Sequence, residues 1–285
     1  MTALSMPHPL LIEPFLREAL REDMGRAGDI TTDAIAPPGL GCRAEMQLRS
    51  PGRVCGVELA RQVFAMIDPS VSFTARVEDG ATVGPNTTVA VVSGSARAVL
   101  TGERVALNLL GRLSGIATLT AACVEKAAPF GTRVACTRKT TPGLRVLEKY
   151  AVRVGGGANH RFGLDDGILI KDNHITVAGS ITEAVRRAKA AVGHMVKIEV
   201  EVDTLDQLEE LLRVGADAVL LDNMGPDTLR QAVGLVAGRM TTEASGGITL
   251  DNLADIAATG VDLVSLGFLT HGARSLDIGL DFVAD

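Results

Sequence analysis

Tryptophan is absent from this chain, and one tyrosine and seven phenylalanines are its only aromatics in 285 residues. Since 46% of the residues are hydrophobic, the core must be filled mainly by Ala, Val, Leu and Ile, a composition that suits buried parallel strands. Positive charge is short as well: 28 Lys and Arg stand against 34 Asp and Glu, a net −6. That excludes a general nucleic-acid binder, whose affinity comes from a broad basic surface. Cys42, Cys55, Cys123 and Cys136 form no CxxC pair and no zinc spacing, which fits reduced thiols. No apolar run reaches the length of a bilayer span, and the opening MTALSMPHPLLIEPFLREALRED lacks the basic start of a signal peptide. The expectation is a cytoplasmic protein with no membrane or nucleic-acid partner. His8, His174, His194 and His271 show no metal-ligand grouping and receive no role.

The length suits one barrel or two domains. LLIEPFLREALRE has helical spacing and GDITTDAIAPPG reads as a loop. CRAEMQLRSPGRVCG reads as two strands about a Pro-Gly turn, VELARQVFAMID as a helix, and the stretch from VSFTARVEDG to SARAVL as several strands. TGERVALNLLGRLSGIATLTAACVEKA is a long helical stretch, with a break expected near Ser114-Gly115. Beyond it short apolar strands (TRVACT, GILIK, VKIEVEV, ADAVLLD, MTTEAS, VDLVSLG) alternate with amphipathic helices, which implies βα units and a parallel sheet. A doubly wound open sheet is the alternative to a barrel, although no G-x-G-x-x-G follows the first of these strands. Arg138, Lys139, Lys171, Glu201, Asp222, Ser245 and Gly267 all fall at or just past strand C-termini, the ends that converge on one mouth in a βα barrel. Six or seven strands, not eight, make that barrel incomplete.

The scarce positive charge is concentrated. Residues 133 to 171 hold eight Lys or Arg and three acids, a local +5 that leaves −11 elsewhere. A solvated face is the ordinary explanation; a local anion site is the other. In CTRKTTPG, Arg138 offers a two-pronged match to a carboxylate and Lys139 a point charge. GGGANHRFG couples backbone able to approach a ligand with His160 and Arg161. Lys171 ends an apolar strand, where it serves a pocket, snorkels to solvent or forms a Schiff base. Glu199 and Glu201 share one side of a strand by the period of two, Glu201 nearer the mouth and Glu199 deeper. With Asp222 on the next strand, Glu201 suits a Mg²⁺ shared with a substrate phosphate, or a partner for the cations. Ser245, Gly246 and Gly247 lie between a strand and a helix, where backbone N–H groups cradle phosphate, and Gly267 at the next strand end would complete the cradle. Arg104 lies outside the alternating region and has Glu103 or Glu125 as an ordinary ion-pair partner.

Taken together, TGERVALNLLGRLSGIAT, TRKTTPGLRVLEKYAV, GGGANHRFGLDDGILIKDNH, IEVEV, LLDNM and EASGGI resemble the nicotinate-nucleotide pyrophosphorylase (carboxylating), or quinolinate phosphoribosyltransferase, family from about residue 10 to the end. The resemblance implies an N-terminal α/β sandwich domain, residues 1–115 completed by 272–285, and a C-terminal open α/β barrel, residues 116–271. It implies a homodimer, or a higher oligomer built from it, with shared active sites. The implied reaction is Mg²⁺-dependent phosphoribosyl transfer from 5-phosphoribosyl 1-pyrophosphate to quinolinate with decarboxylation, giving nicotinate mononucleotide, pyrophosphate and CO₂. Quinolinate-binding positions map onto Thr137, Arg138, Lys139, His160, Arg161 and Lys171, with Arg104 reaching in from the other subunit. Positions near the Mg²⁺ and ribose map onto Glu201 and Asp222, and the phosphate-binding backbone onto Ser245, Gly246, Gly247 and Gly267. Lys139, Lys171, Glu201 and Asp222 are the implied catalytic set. Ala158 departs from the family, many members having His there. The alternatives are a paralogous branch associated with molybdenum transport, which lacks the LIKDNH form intact here, a Schiff-base lyase at Lys171, and a non-catalytic anion binder.

Overall fold

The computed structural model describes residues 5–283; residues 1–4 and 284–285, the ends of the expected first domain, lie outside the described residues. The chain forms two compact units, one of Met1–Ala121, Thr141–Gly156 and Thr270–Asp285, the other of Ala122–Thr140 and Gly157–Leu269. The expected 116–271 block is therefore interrupted, because residues 141–156 group with the first unit. The cause is the helix Arg145–Val154, whose Glu148 is bonded to Arg112 and whose Tyr150 hydroxyl donates to Asp79 at 2.8 Å.

The first unit contains β1 (Gly41–Leu48), β2 (Gly52–Arg53), β3 (Ser72–Ala75), β4 (Thr82–Val83) and β5 (Thr87–Ser95). The second contains β6 (Arg133–Ala135), β7 (Ile168–Ile170), β8 (Ile198–Val202), β9 (Ala218–Asp222), β10 (Thr241–Ser245) and β11 (Leu263–Ser265); β12 (Ile278–Phe282) returns to the first. An antiparallel sheet of order β12-β1-β5-β3 forms the first unit's centre. Alternation along β1 buries Ala44, Met46 and Leu48 completely, as a strand with one core face requires. The two strands read about the Pro-Gly turn are both present, and β2 pairs with β4, not with β1. The Arg53 N–H donates to Thr118 Oγ1 at 2.8 Å, and a Cβ on Gly52 would meet Leu276 Cδ1 at 2.4 Å, so close packing draws this segment away from β1. The expected loop before β1 contains the helix Ile30–Ile35, started by Asp29, whose carboxylate accepts from the Thr32 N–H at 2.9 Å.

A single uninterrupted helix, Ala96–Ala127, replaces the expected broken one. Gly115 serves close packing, because a Cβ there would lie 2.0 Å from the Arg274 carbonyl oxygen. Ser114 Oγ accepts from the Cys55 N–H at 2.9 Å and so has its own partner. Length and composition alone would let this helix cross a membrane, contrary to the sequence expectation; 61% of its most apolar window is buried within the protein, as in a core helix.

Glu148 is fully buried and accepts from Arg112 Nη2 (2.8 Å), Thr141 N (3.0 Å) and Thr141 Oγ1 (2.8 Å). Arg112 also donates to the carbonyls of Thr270 and Ala273. Removing the charge while keeping the shape leaves a part-buried guanidinium without its ion pair, so Glu148→Gln is expected to lower unfolding stability by about 2 kcal/mol. Urea unfolding of the two proteins checks this.

All strand pairs in the second unit are parallel, in the order β6-β11-β10-β9-β8-β7. Chain order is followed from β7 to β11, and β11 then returns to pair with β6, the first strand. Only β6 and β7 are not joined by a ladder; there Ala158 makes a single parallel bridge to Ala135. This is an open barrel, and its seam carries Asn159, His160 and Arg161. Burial in β8 follows the period of two, with Ile198, Val200 and Val202 buried while Glu199 and Glu201 retain partial exposure. The lumen side of this strand is the polar one.

Candidate active site

Strand C-termini bound a cavity of about 580 Å³ in the second unit. Its lining includes Thr137, Arg138 and Lys139 after β6, Lys171 after β7, Glu201 on β8, Asp222 on β9 and Ser245, Gly246 and Gly247 at β10, with His160 and Arg161 from the seam. Eleven of the thirteen positions implied by the resemblance thus meet in one space. Gly267 and Arg104 are not among the lining residues; Arg104 is exposed and lies 3.9 Å from Glu103. Leu169, Leu220, Asn223, Glu243 and Ser265 also line the cavity and were not singled out from the sequence.

One wall is cationic. Arg138 and Lys139 leave β6 through a turn in which Thr137 Oγ1 accepts from the Lys139 N–H at 3.0 Å and the Arg138 carbonyl accepts from the Thr140 N–H at 2.9 Å. Arg161 Nη1 donates to the Gly167 carbonyl at 2.8 Å, and Asp166 holds the intervening loop by accepting from the Phe162 and Gly163 N–H groups. Burial, followed by the charge of Arg138, lowers the pKa of Arg161 from its ordinary value; Asp166 and Glu199 oppose the shift. Two converging guanidiniums repel until an anion lies between them.

The opposite corner is acidic. Burial first, and then the charges of Glu201 and Asp203, raise Asp222 above the usual carboxylate range, against Asn223 and Lys171. Lys171 Nζ donates to Glu201 Oε2 at 2.5 Å, which ties the end of β7 to β8. His174 accepts the Lys171 N–H on Nδ1 at 2.9 Å and so organises the start of the helix Asp172–Ala178. Its place in LIKDNH is thereby structural.

The glycine turn departs from its expected setting. The following helix begins only at Leu253, so Gly246 and Gly247 belong to a loop and not to a helix N-terminus. Both have positive φ, 84° and 63°, and an exposed turn of this kind offers backbone N–H groups to an anion. Asn223, also at positive φ (54°), donates its N–H to the Ser245 carbonyl at 2.8 Å and its Nδ2 to Asp222 Oδ2 at 2.6 Å. It ties the glycine turn to the acidic corner. The only sequence signal for this was Asn following a strand-terminal Asp.

Beneath the cavity His160 is engaged by its neighbours. Nδ1 accepts the Arg161 N–H at 2.7 Å, and Nε2 lies 2.8 Å from Glu199 Oε2 and 3.7 Å from Glu243 Oε1. With Nδ1 accepting, Nε2 carries the hydrogen and donates to Glu199. The three possible ligand atoms lie within 4.8 Å of one another, yet this tautomer directs N–H, not a lone pair, into their midst, which disfavours a metal there. His160, implied as a substrate contact, is held by side chain and backbone as part of the pocket floor.

A family model described as "Quinolinate phosphoribosyl transferase, C-terminal domain" matches residues 116–281, and the corresponding N-terminal domain model matches residues 29–114. The "Probable nicotinate-nucleotide pyrophosphorylase [carboxylating]" of Bacillus subtilis (strain 168) is 47% identical over 272 residues, covering 95% of this chain and 93% of that protein. The "Nicotinate-nucleotide pyrophosphorylase [carboxylating]" of Mycobacterium leprae (strain TN) is 44% identical over 273 residues, covering 93% and 95%. Among solved structures, NadC from Streptococcus pyogenes is 41% identical with a TM-score of 0.93 and covers 98% of this chain and 100% of its own.

Proposed function

The chain belongs to the quinolinate phosphoribosyltransferase family, and from that premise we propose that its barrel-mouth cavity transfers the phosphoribosyl group of 5-phosphoribosyl 1-pyrophosphate to quinolinate with loss of CO₂, forming nicotinate mononucleotide for NAD synthesis. The observation that carries this reading is the convergence of Arg138, Lys139, Arg161 and Lys171 in one cavity that also holds Glu201 and Asp222. A dicarboxylate and a polyphosphate need such a cationic wall, and a cationic sugar needs carboxylates opposite.

In the proposed reaction Arg138 and Arg161 grip quinolinate's carboxylates, aided by Lys139. Lys139 and Lys171 offset the charge of the departing pyrophosphate, and the turn at Ser245, Gly246 and Gly247 receives phosphate through its N–H groups. The bond from ribose C1 to the pyrophosphate oxygen breaks and a bond from C1 to the pyridine nitrogen forms. Glu201 and Asp222 stabilise the positive charge on the sugar between these events. The ring nitrogen is then cationic, so the bond from C2 to its carboxylate breaks with the electron pair held beside that charge. CO₂ leaves and C2 takes a proton. Fixed charges placed where charge develops supply most of the acceleration, and no cysteine or serine nucleophile is needed.

Glu201 and Asp222 fit a Mg²⁺, directly or through water: they lie near the ends of paired parallel strands, and burial, followed by the Glu201 charge, raises Asp222. Bound there, the ion would neutralise pyrophosphate charge. The cytoplasmic location is proposed on the four cysteines, none of which joins another in a disulfide.

Incubation with quinolinate, 5-phosphoribosyl 1-pyrophosphate and Mg²⁺ is expected to yield nicotinate mononucleotide by mass, with none formed from nicotinate. Equal product from nicotinate, or none from either, would overturn the function. The homodimer with shared sites is also a proposal, supported by the exposed guanidinium of Arg104. Inactive Arg104→Ala and Arg161→Ala proteins, unfolded together and refolded as a mixture, are expected to regain about a quarter of wild-type activity, since half the dimers are mixed and each has one intact site. Failure to complement, with mixed dimers verified, contradicts shared sites.

A further inference from the structure

Glu243 has no part in the reaction as described, yet it lies at the centre of the barrel. It lines both the substrate cavity and a second cavity of about 390 Å³ bounded by the N-terminal ends of the strands. Its residue is 4% exposed, and Oε1 is buried with no hydrogen-bond partner. The charged groups around it come from several elements. β8 contributes Glu199 at its level and Glu201 above. The seam brings His160 and Arg161, and β9 carries Asp217 just before its first residue and Asp222 at its last, beyond Leu220, which is in register with Glu243. Lys171 lies past β7 on the upper side and Lys197 just before β8 on the lower, while β11 offers only the Ser265 hydroxyl.

His160 Nε2 lies 3.7 Å from Glu243 Oε1, beyond hydrogen-bond reach. Its one hydrogen on Nε2 goes to Glu199. Two carboxylates thus flank one imidazole in the barrel interior, and Glu243 Oε1 has no hydrogen-bond donor. Burying an ionised carboxylate in that condition is costly, so the group takes up a proton instead.

We infer that Glu243 is a proton-holding residue beneath the quinolinate pocket, and that arrival of the dicarboxylate draws a proton onto it from solvent. The inference rests on the proposed function for the identity of the dianion. Neutral Glu243 leaves the cationic wall's field for the substrate; ionised Glu243 cancels part of it. Burial first and the Glu199 charge second raise its pKa to about 7, against the pull of His160 and Ser265, so the free site is divided between the two forms near neutrality. A bound dianion shifts it further toward the acid. The sign follows: affinity for quinolinate is level below the free site's pKa, and above it falls by up to about tenfold per pH unit until the complex itself loses the proton.

Calorimetric titration of quinolinate into the full-length protein, in buffers of different ionisation enthalpy, counts the protons. Near one proton per site is expected at about pH 8 and close to none at about pH 6. Glu243→Gln is expected to bind quinolinate with no proton uptake and a flat pH profile. Binding to wild type without uptake, or equal uptake by Glu243→Gln, overturns the inference while leaving the transferase reading in place. Neither quinolinate binding nor product in wild type overturns both. If Glu243→Gln does not fold, the quinolinate-minus-free infrared difference spectrum of wild type at about pH 8 still decides. Gain of a protonated carboxyl band supports the inference, and its absence overturns it.

Discussion

Arg161→Ala is expected to lower kcat/KM for quinolinate by about 10³-fold, close to 4 kcal/mol. The guanidinium is part-buried, anchored to the Gly167 carbonyl at 2.8 Å, and its pKa is lowered by burial and Arg138. That repulsion is relieved when a carboxylate enters, so the bound state gains both the new ion pairs and the relief. Truncation loses both and leaves one substrate carboxylate without its fork. Arg161→Lys retains charge but not the planar donor pair, and should recover about tenfold of the loss. Initial rates with quinolinate varied at saturating 5-phosphoribosyl 1-pyrophosphate measure the effect. An unchanged KM in Arg161→Ala would remove this residue from the pocket.

Gly246→Ala is expected to reduce kcat/KM for 5-phosphoribosyl 1-pyrophosphate by about 10²-fold, while quinolinate affinity stays within about threefold. A Cβ at this position would lie 2.2 Å from Asn223 Oδ1 and 3.0 Å from its backbone N, at a φ of 84°. Asn223 cannot yield without disturbing its bonds to the Ser245 carbonyl and Asp222. One methyl group therefore displaces both the phosphate turn and a carboxylate of the acidic corner. Gly247 supplies the internal comparison. Its φ is also positive, at 63°, but the nearest atom to a Cβ is 4.0 Å away. Gly247→Ala should lose only the strain of a left-handed residue, about 1 to 2 kcal/mol. Equal rates for wild type and Gly246→Ala would contradict a phosphate role for the turn.

The parallel strands, and the side chains that their C-termini bring into one cavity, were legible because both rest on local pattern. The period of two in IEVEV put Glu199 below Glu201, and the structure has Glu201 lining the barrel-mouth cavity while Glu199 meets His160. What local pattern does not encode is which distant group a residue meets. Gly115 reads as a helix breaker until the Arg274 carbonyl is placed against it. Glu243 in MTTEAS reads as an ordinary strand residue, because its neighbours Glu199 and His160 arrive from β8 and the seam. The same applies to the helix Arg145–Val154, assigned to the first unit by the Arg112–Glu148 pair and not by its position in the chain. The expected helix N-terminus behind Gly246 failed for a local reason: Thr249 and Asn252 satisfy each other's N–H groups first, and the helix starts after them.

Transfer and decarboxylation at one barrel-mouth cavity are tested most directly with quinolinate labelled in its 2-carboxylate. Labelled CO₂ and nicotinate mononucleotide are counted in the same reaction with 5-phosphoribosyl 1-pyrophosphate and Mg²⁺. Equal amounts of the two products, both abolished together in Arg161→Ala, are predicted. Nicotinate mononucleotide formed without labelled CO₂, or CO₂ released without the phosphoribosyl donor, would contradict the account.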